Sequence, residues 1–133
     1  MKLLRLFAAM LATALLGLAA EAPKITPAEA AQRVAAGKAV LVDCREPSEW
    51  SDTGVAAPAT LLAKSDFDGA QKDWKAFLEK NAGKEVILYC RSGGRAGTVA
   101  AALAEKGVKA SNAGGFKDWQ KAGLPTRKAD APK

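Results

Sequence analysis

The sequence predicts an α/β fold, a central parallel sheet flanked by helices on both faces. Three observations carry that expectation. The short unbroken apolar runs Val40-Leu-Val-Asp43 and Val86-Ile-Leu-Tyr89 read as strands buried on both faces. Strand-like runs alternate with helix-like segments, the pattern of a parallel sheet with crossover helices. Polar and reactive residues gather at the carboxyl ends of both runs, where open parallel sheets hold their ligands.

Along the chain, Thr26-Pro27-Ala28-Glu29 comes first: a capping box with Pro at the first helical position, in a helix closed by Gly37. The Val40 strand ends in Asp43, Cys44, Arg45 and Glu46, after which Pro47 is expected to break the chain. Gly54 to Pro58 reads as a loop and Thr60 to Leu62 as a very short strand. From about Asp68 to Asn81 an amphipathic helix is expected, with Trp74, Phe77 and Leu78 on one side and Gly83 beyond it. The Val86 strand comes next, then an Ala/Leu-rich helix from about Arg95 to Lys106, stopped by Gly107 as a left-handed cap. Lys109 to Asn112 reads as a weak edge strand. Gly114-Gly-Phe116 then leads a short helix through Trp119 to Lys121, ended by Gly123-Leu-Pro125. Trp50, Trp74 and Trp119 are assigned to packing.

Residues 1–20 stand outside the fold. Lys2 and Arg5 precede the apolar run Leu6 to Leu18, and Gly17, Ala19 and Ala20 are the small residues of a secretory signal, with cleavage after Ala19 or Ala20. An uncleaved anchor is the competing reading, but the run is short for a span of about 20 residues and no basic cluster comes after it. The expected organisation is a signal peptide over 1–20, one domain over 21–127 and a polar tail over 128–133. The protein is then periplasmic or secreted, with no stable membrane association after cleavage.

Composition narrows the chemistry. The 133 residues carry a net charge of +6, which falls to +4 once Lys2 and Arg5 are removed. The charges are dispersed and no aromatics interleave with a basic run, so no nucleic-acid partner is expected. Histidine is absent, which excludes a Ser-His-Asp triad, a Cys-His protease and a His-ligated zinc site. Two cysteines, Cys44 and Cys90, make neither a disulfide scaffold nor a four-Cys metal centre, and there is no C-x-x-C redox pair. No metal and no cofactor is expected. Nothing in the chain specifies an oligomeric state. What remains is the chemistry of one thiol.

That thiol is Cys90, at the carboxyl end of the Val86 strand. The loop after it runs Arg91-Ser-Gly-Gly-Arg95-Ala96 into a helix N-terminus, where backbone N–H groups converge and favour an anion. Gly93 and Gly94 permit positive φ and an inward-facing nest of amides. Ser92 adds a hydroxyl donor, and Arg91 and Arg95 raise the local potential. Such surroundings favour a reactive thiolate. A buried structural cysteine before an ordinary turn is the plain alternative. The Gly-rich basic loop favours the site.

These residues resemble a family. Tyr89-Cys-Arg-Ser-Gly-Gly-Arg-Ala96 is similar to the active-site loop of single-domain rhodaneses, the thiosulfate sulfurtransferases. Leu41-Val-Asp-Cys-Arg-Glu-Pro-Ser-Glu-Trp50, Thr53-Gly-Val55 and Gly114-Gly-Phe-Lys-Asp-Trp-Gln-Lys-Ala-Gly-Leu-Pro125 resemble other family segments in the family's order. The resemblance covers about residues 25 to 127 and implies a rhodanese-like sheet. Three departures stand out: Cys44 replaces an aliphatic residue, Gly54 or Val55 stands where many members carry histidine, and Ala57-Pro-Ala59 replaces the usual Gly-Ala.

The resemblance implies sulfur transfer by double displacement. Cys90 takes the sulfane sulfur of a small anionic donor such as thiosulfate, and a thiol or cyanide then removes it. The amides of Ser92 to Ala96 would hold the persulfide, and Arg95, ahead of Arg91, would orient the donor. Three other readings stand beside it. A phosphatase of the related fold places Arg with five residues between it and Cys, a position held here by Ala96. A periplasmic sulfur carrier would use the same loop without turnover. Cys44 would act as a second, resolving thiol if the two strand ends are neighbours, or else simply fill an aliphatic slot.

Overall fold

The computed structural model describes residues 21–129; the expected signal peptide and residues 130–133 of the polar tail lie outside them. Four parallel strands form the sheet: β1 (Ala39–Asp43), β3 (Thr60–Leu61), β4 (Glu85–Cys90) and β5 (Ala110–Gly115), in the order β3-β1-β4-β5. β1 pairs with β4 from Ala39 opposite Glu85 to Asp43 opposite Tyr89. The two apolar runs are thus adjacent in the middle of the sheet, with every residue of β4 buried. A backbone buried on both faces has only other strands to satisfy its N–H and C=O groups, which is why these runs pair with each other.

Side chains alternate between two cores, as strand geometry requires. Val42, Val86 and Leu88 point to one face, where they meet Phe67, Trp74 and Phe77 together with Val99, Ala100 and Leu103 of helix α5 (Gly94–Glu105). Leu41, Ile87 and Tyr89 point to the other, against Ala30 of α1 (Pro27–Ala35) and Phe116 and Trp119 of α6 (Phe116–Lys121). Helices cover both faces, as the sequence predicts. In α1, the Thr26 hydroxyl accepts from the Glu29 N–H at 3.1 Å.

The structure corrects four local expectations. Pro47 does not break the chain; it opens helix α2 (Pro47–Thr53), where a residue without an N–H costs no intrahelical hydrogen bond. The helix expected over Asp68–Asn81 is two helices, α3 (Lys64–Asp68) and α4 (Lys72–Lys80), with Gln71 left-handed at φ 56°. The Asp66 carboxylate causes the break, accepting from the N–H groups of Lys72, Asp73 and Trp74 at 2.9 to 3.1 Å. Within the expected loop Gly54–Pro58, β2 (Val55–Ala56) pairs antiparallel with β6 (Thr126–Arg127). The last parallel strand runs to Gly115 rather than Asn112 because a bulge inserts a residue between the pairs Leu88–Asn112 and Cys90–Gly115. That bulge carries the Gly-Gly pair up beside the loop after β4.

All three tryptophans have structural settings. Trp74 and Trp119 are buried and donate to the Ala63 and Pro125 carbonyls at 3.0 and 2.9 Å. Trp50 is half-buried, with an indole N–H that has no partner among the described residues.

Candidate active site

The carboxyl end of β4 delivers Cys90 to the start of α5, and the intervening loop folds back over its sulfur. The Gly93 N–H donates to Cys90 Sγ at 3.0 Å and the Ala96 N–H at 3.5 Å. Gly93 reaches this position at φ 98°, a conformation that side chains rarely adopt. Of the loop amides the sequence nominates, these two meet the sulfur. Two backbone donors and a helix N-terminus are thus directed at one sulfur.

The loop is locked from β5. Asn112 donates from its amide to the Gly93 carbonyl at 3.0 Å, and its oxygen accepts from the Gly114 N–H at 2.9 Å. Gly115 lies so close that a Cβ there would sit 2.3 Å from the Arg91 carbonyl oxygen. The Gly115 N–H is in turn held by Asp118 at 2.9 Å. The sequence does not nominate Asn112. Its only signal is an amide side chain just before a Gly-Gly pair, and its partner Gly93 is 19 residues away.

The two loop arginines are placed differently. Arg95 forms a two-point pair with Glu49 of α2, at 2.6 and 2.8 Å. Hydrogen bonds from Arg95, against an opposing effect of burial, hold the Glu49 carboxyl down at about 2, and the same pair raises the Arg95 guanidinium. Glu49 Oε1 also accepts from the Glu46 N–H at 3.2 Å, so one carboxylate caps α2 and fastens α5 to it. Arg91 is exposed and lines a depression of about 340 Å³ with Arg45, Glu49, Phe116 and Lys117. Ser92 and Gly94 are exposed, and Ala96 is fully buried. On the other side of the loop, Ser92, Gly93 and Gly94 border a second depression of about 420 Å³ with Lys24, Asn112 and Asp118. Cys90 lines neither. Its side chain is 1 % exposed beneath the loop that separates them.

The end of β1 carries a sealed ion pair. Arg45 is 2 % exposed and grips the Asp43 carboxylate through Nε and Nη2 at 2.8 to 3.1 Å. It also donates to Thr53 Oγ1 and the Gly54 carbonyl, and its guanidinium lies 4.7 Å from the centre of the Phe116 ring. Burial alone would lower the Arg45 pKa; the hydrogen bonds and charge of Asp43 outweigh it and raise the value. These residues hold α2 and α6 onto the sheet. Cys44, between them, is fully buried.

A family model described as a rhodanese-like domain matches residues 26–122. The chain belongs to the rhodanese-like domain family. No curated protein matches it. Among solved structures, this rhodanese-like domain is similar to a rhodanese-related protein from Thermoplasma volcanium, at 23% identity and TM-score 0.66 over 80% of this chain and 99% of that one. A Rhodopseudomonas palustris protein of unknown function, described as a possible tyrosine phosphatase, matches at 24% identity and TM-score 0.66 over 80% and 85%. The polysulfide-sulfur transferase homodimer from Wolinella succinogenes matches at 22% and 0.65 over 82% and 80%. At these identities the likeness is one of fold. Family model and fold agree on a rhodanese-like domain.

Proposed function

We propose that this rhodanese-like domain moves a sulfane sulfur from a small anionic donor such as thiosulfate to a thiophilic acceptor, a thiol or cyanide, through a persulfide on Cys90. The observation that supports it is the pair of backbone N–H groups directed at Cys90 Sγ. Cys90 thiolate attacks the outer sulfur of thiosulfate, a new S–S bond forms, and sulfite leaves with the electron pair of the broken bond. The acceptor then attacks the outer sulfur of the persulfide and Cys90 departs as thiolate. Splitting the transfer into two displacements replaces one hard step with two easier ones. The loop amides hold negative charge on sulfur in both. Arg91 and Lys117, exposed at the mouth, attract the donor, while Arg95 keeps α5 in place through Glu49. Because Cys90 is 1 % exposed, a donor reaches its sulfur only where the exposed side chains of Arg91 and Ser92 give way, with the Gly93 amide still on the sulfur. We further propose that residues 1–20 export the chain, so that this chemistry takes place in the periplasm or outside the cell.

Intact mass measurement after incubation with thiosulfate tests the proposal. Sulfur taken from thiosulfate by the wild type is read as an added sulfur atom or as sulfide released from it, and Cys90→Ser shows neither; a wild type that shows neither overturns it. Continuous turnover with thiosulfate and cyanide identifies a catalyst, whereas a single loading without release identifies a sulfur carrier for a protein partner. A phosphatase reading finds little support, because the ring position its arginine would need is the buried Ala96 and Arg95 is engaged by Glu49. Hydrolysis of a phosphomonoester would restore it.

A further inference from the structure

Cys44 has no part in the transfer of sulfur through Cys90, yet it lies beside that residue. β1 and β4 are paired in parallel register up to Asp43 opposite Tyr89, so the next residues, Cys44 and Cys90, stand side by side. The ladder continues one step further, the Cys44 N–H donating to the Tyr89 carbonyl at 3.1 Å. The Cys44 thiol donates to that same carbonyl at 3.4 Å, across the peptide that joins Tyr89 to Cys90. Both side chains project to the same face, within the core that contains Ala96 and Val99. Paired strands run about 4.8 Å apart. Disulfides close across Cα separations of about 4.4 to 6.8 Å.

We propose that Cys44 is a resolving thiol, which attacks the Cys90 persulfide and releases its outer sulfur as sulfide. The inference rests on the sulfur-transfer reading, because the persulfide supplies the oxidising equivalents. Cys44 Sγ forms a bond to Cys90 Sγ, and the bond from Cys90 Sγ to the outer sulfur breaks. The outer sulfur keeps that electron pair, takes the Cys44 proton and leaves as hydrosulfide. One persulfide and one thiol become one disulfide and one hydrosulfide, so atoms and electrons balance. An external dithiol restores both thiols. Burial, and then negative charge at Cys90 and Asp43, push the Cys44 thiol up, which slows its attack, so this resolution acts on a persulfide that no external acceptor has discharged. In the described structure both cysteines are free.

The test uses the reduced mature chain, dilute thiosulfate, acid quench and intact mass, with released sulfide measured in parallel. Wild type, Cys90→Ser, Cys44→Ser and Cys44→Val are compared; valine places an aliphatic side chain in the same buried slot in case serine disturbs folding. The expected result is one equivalent of sulfide from wild type, with the protein ending lighter by two hydrogens. Both Cys44 variants instead retain the added sulfur and release no sulfide. A wild type whose persulfide lasts as long as that of Cys44→Val overturns the role of Cys44 and leaves sulfur transfer standing. Failure of wild type and both Cys44 variants alike to acquire sulfur or release sulfide overturns the transfer reading itself.

Discussion

The carboxyl ends of β1 and β4 carry the same two residue types, cysteine then arginine, with opposite outcomes. After β1, Cys44 and Arg45 are sealed in, and the arginine spends its donors on Asp43, Thr53 and Gly54. After β4, the loop amides point at Cys90 and Arg91 faces solvent. The difference lies in the residues immediately beyond each arginine. Glu46-Pro47 starts a helix at once and leads the chain away, whereas Ser92-Gly-Gly94 lets the backbone curl over the sulfur. An arginine at a strand end is therefore buried or solvent-facing according to the turn behind it.

Arg45→Met puts this contrast to its hardest test. It leaves the Asp43 carboxylate, 0 % exposed, without its cation, and we expect a loss of about 3–5 kcal/mol in urea unfolding. Stability within about 0.5 kcal/mol of wild type would show that the pair is not structural. Gly93→Ala is next. It forces a side chain into φ 98° with its Cβ 3.4 Å from Gly114 Cα, which costs about 1–3 kcal/mol and displaces the amide from the sulfur. Alkylation of Cys90 by iodoacetamide and sulfur loading from thiosulfate should both change; unaltered rates would argue that the Gly93 amide does not govern the thiol.

Glu49→Gln probes the half-exposed pair, whose side chains are 33 % and 27 % exposed, against the sealed one. Arg95 brings the Glu49 carboxyl from 4.5 to about 2, and a depressed acid stabilises the fold only while ionised. That contribution is complete above the ordinary carboxylate range and is lost as pH falls from about 4.5 toward 2. Solvent screening limits it to about 1 kcal/mol. Wild type should lose more stability than Glu49→Gln across that interval, and parallel curves would contradict the pairing. The smallest structural effect belongs to Arg91→Ala. Its melting temperature should match wild type, as for most exposed sites, while the thiosulfate concentration for half-maximal loading rises. The reverse pattern would make Arg91 structural and Arg45 the odd one out.

Legibility tracks the range of the interactions. The Val86–Gly107 unit can be read almost residue by residue, because strand, cysteine, glycine turn and helix are all encoded within one short stretch. Where a distant group intervenes, local expectation fails: Thr126–Arg127 makes a strand of Val55–Ala56. The split of the helix expected over Asp68–Asn81 is a local effect that goes unread, since the capping Asp66 lies only six to eight residues from the N–H groups it holds. The resemblance, with Arg95 at the helix start, sets Arg95 ahead of Arg91 for orienting the donor. Glu49, 46 residues away, holds it instead. Asn112 escapes notice for the same reason, as its role exists only once β5 lies beside the loop.

Near-neighbour chemistry was enough to dictate the α/β alternation, the cysteine at the strand end and the loop able to bend around it, since propensity, turn geometry and charge act over short stretches of chain. Only the assembled fold decided that Arg95 belongs to Glu49, that Asn112 fastens the loop, and that the two cysteines stand shoulder to shoulder. Those outcomes depend on sheet order and on the one-residue bulge in β5, both set by packing across the whole core.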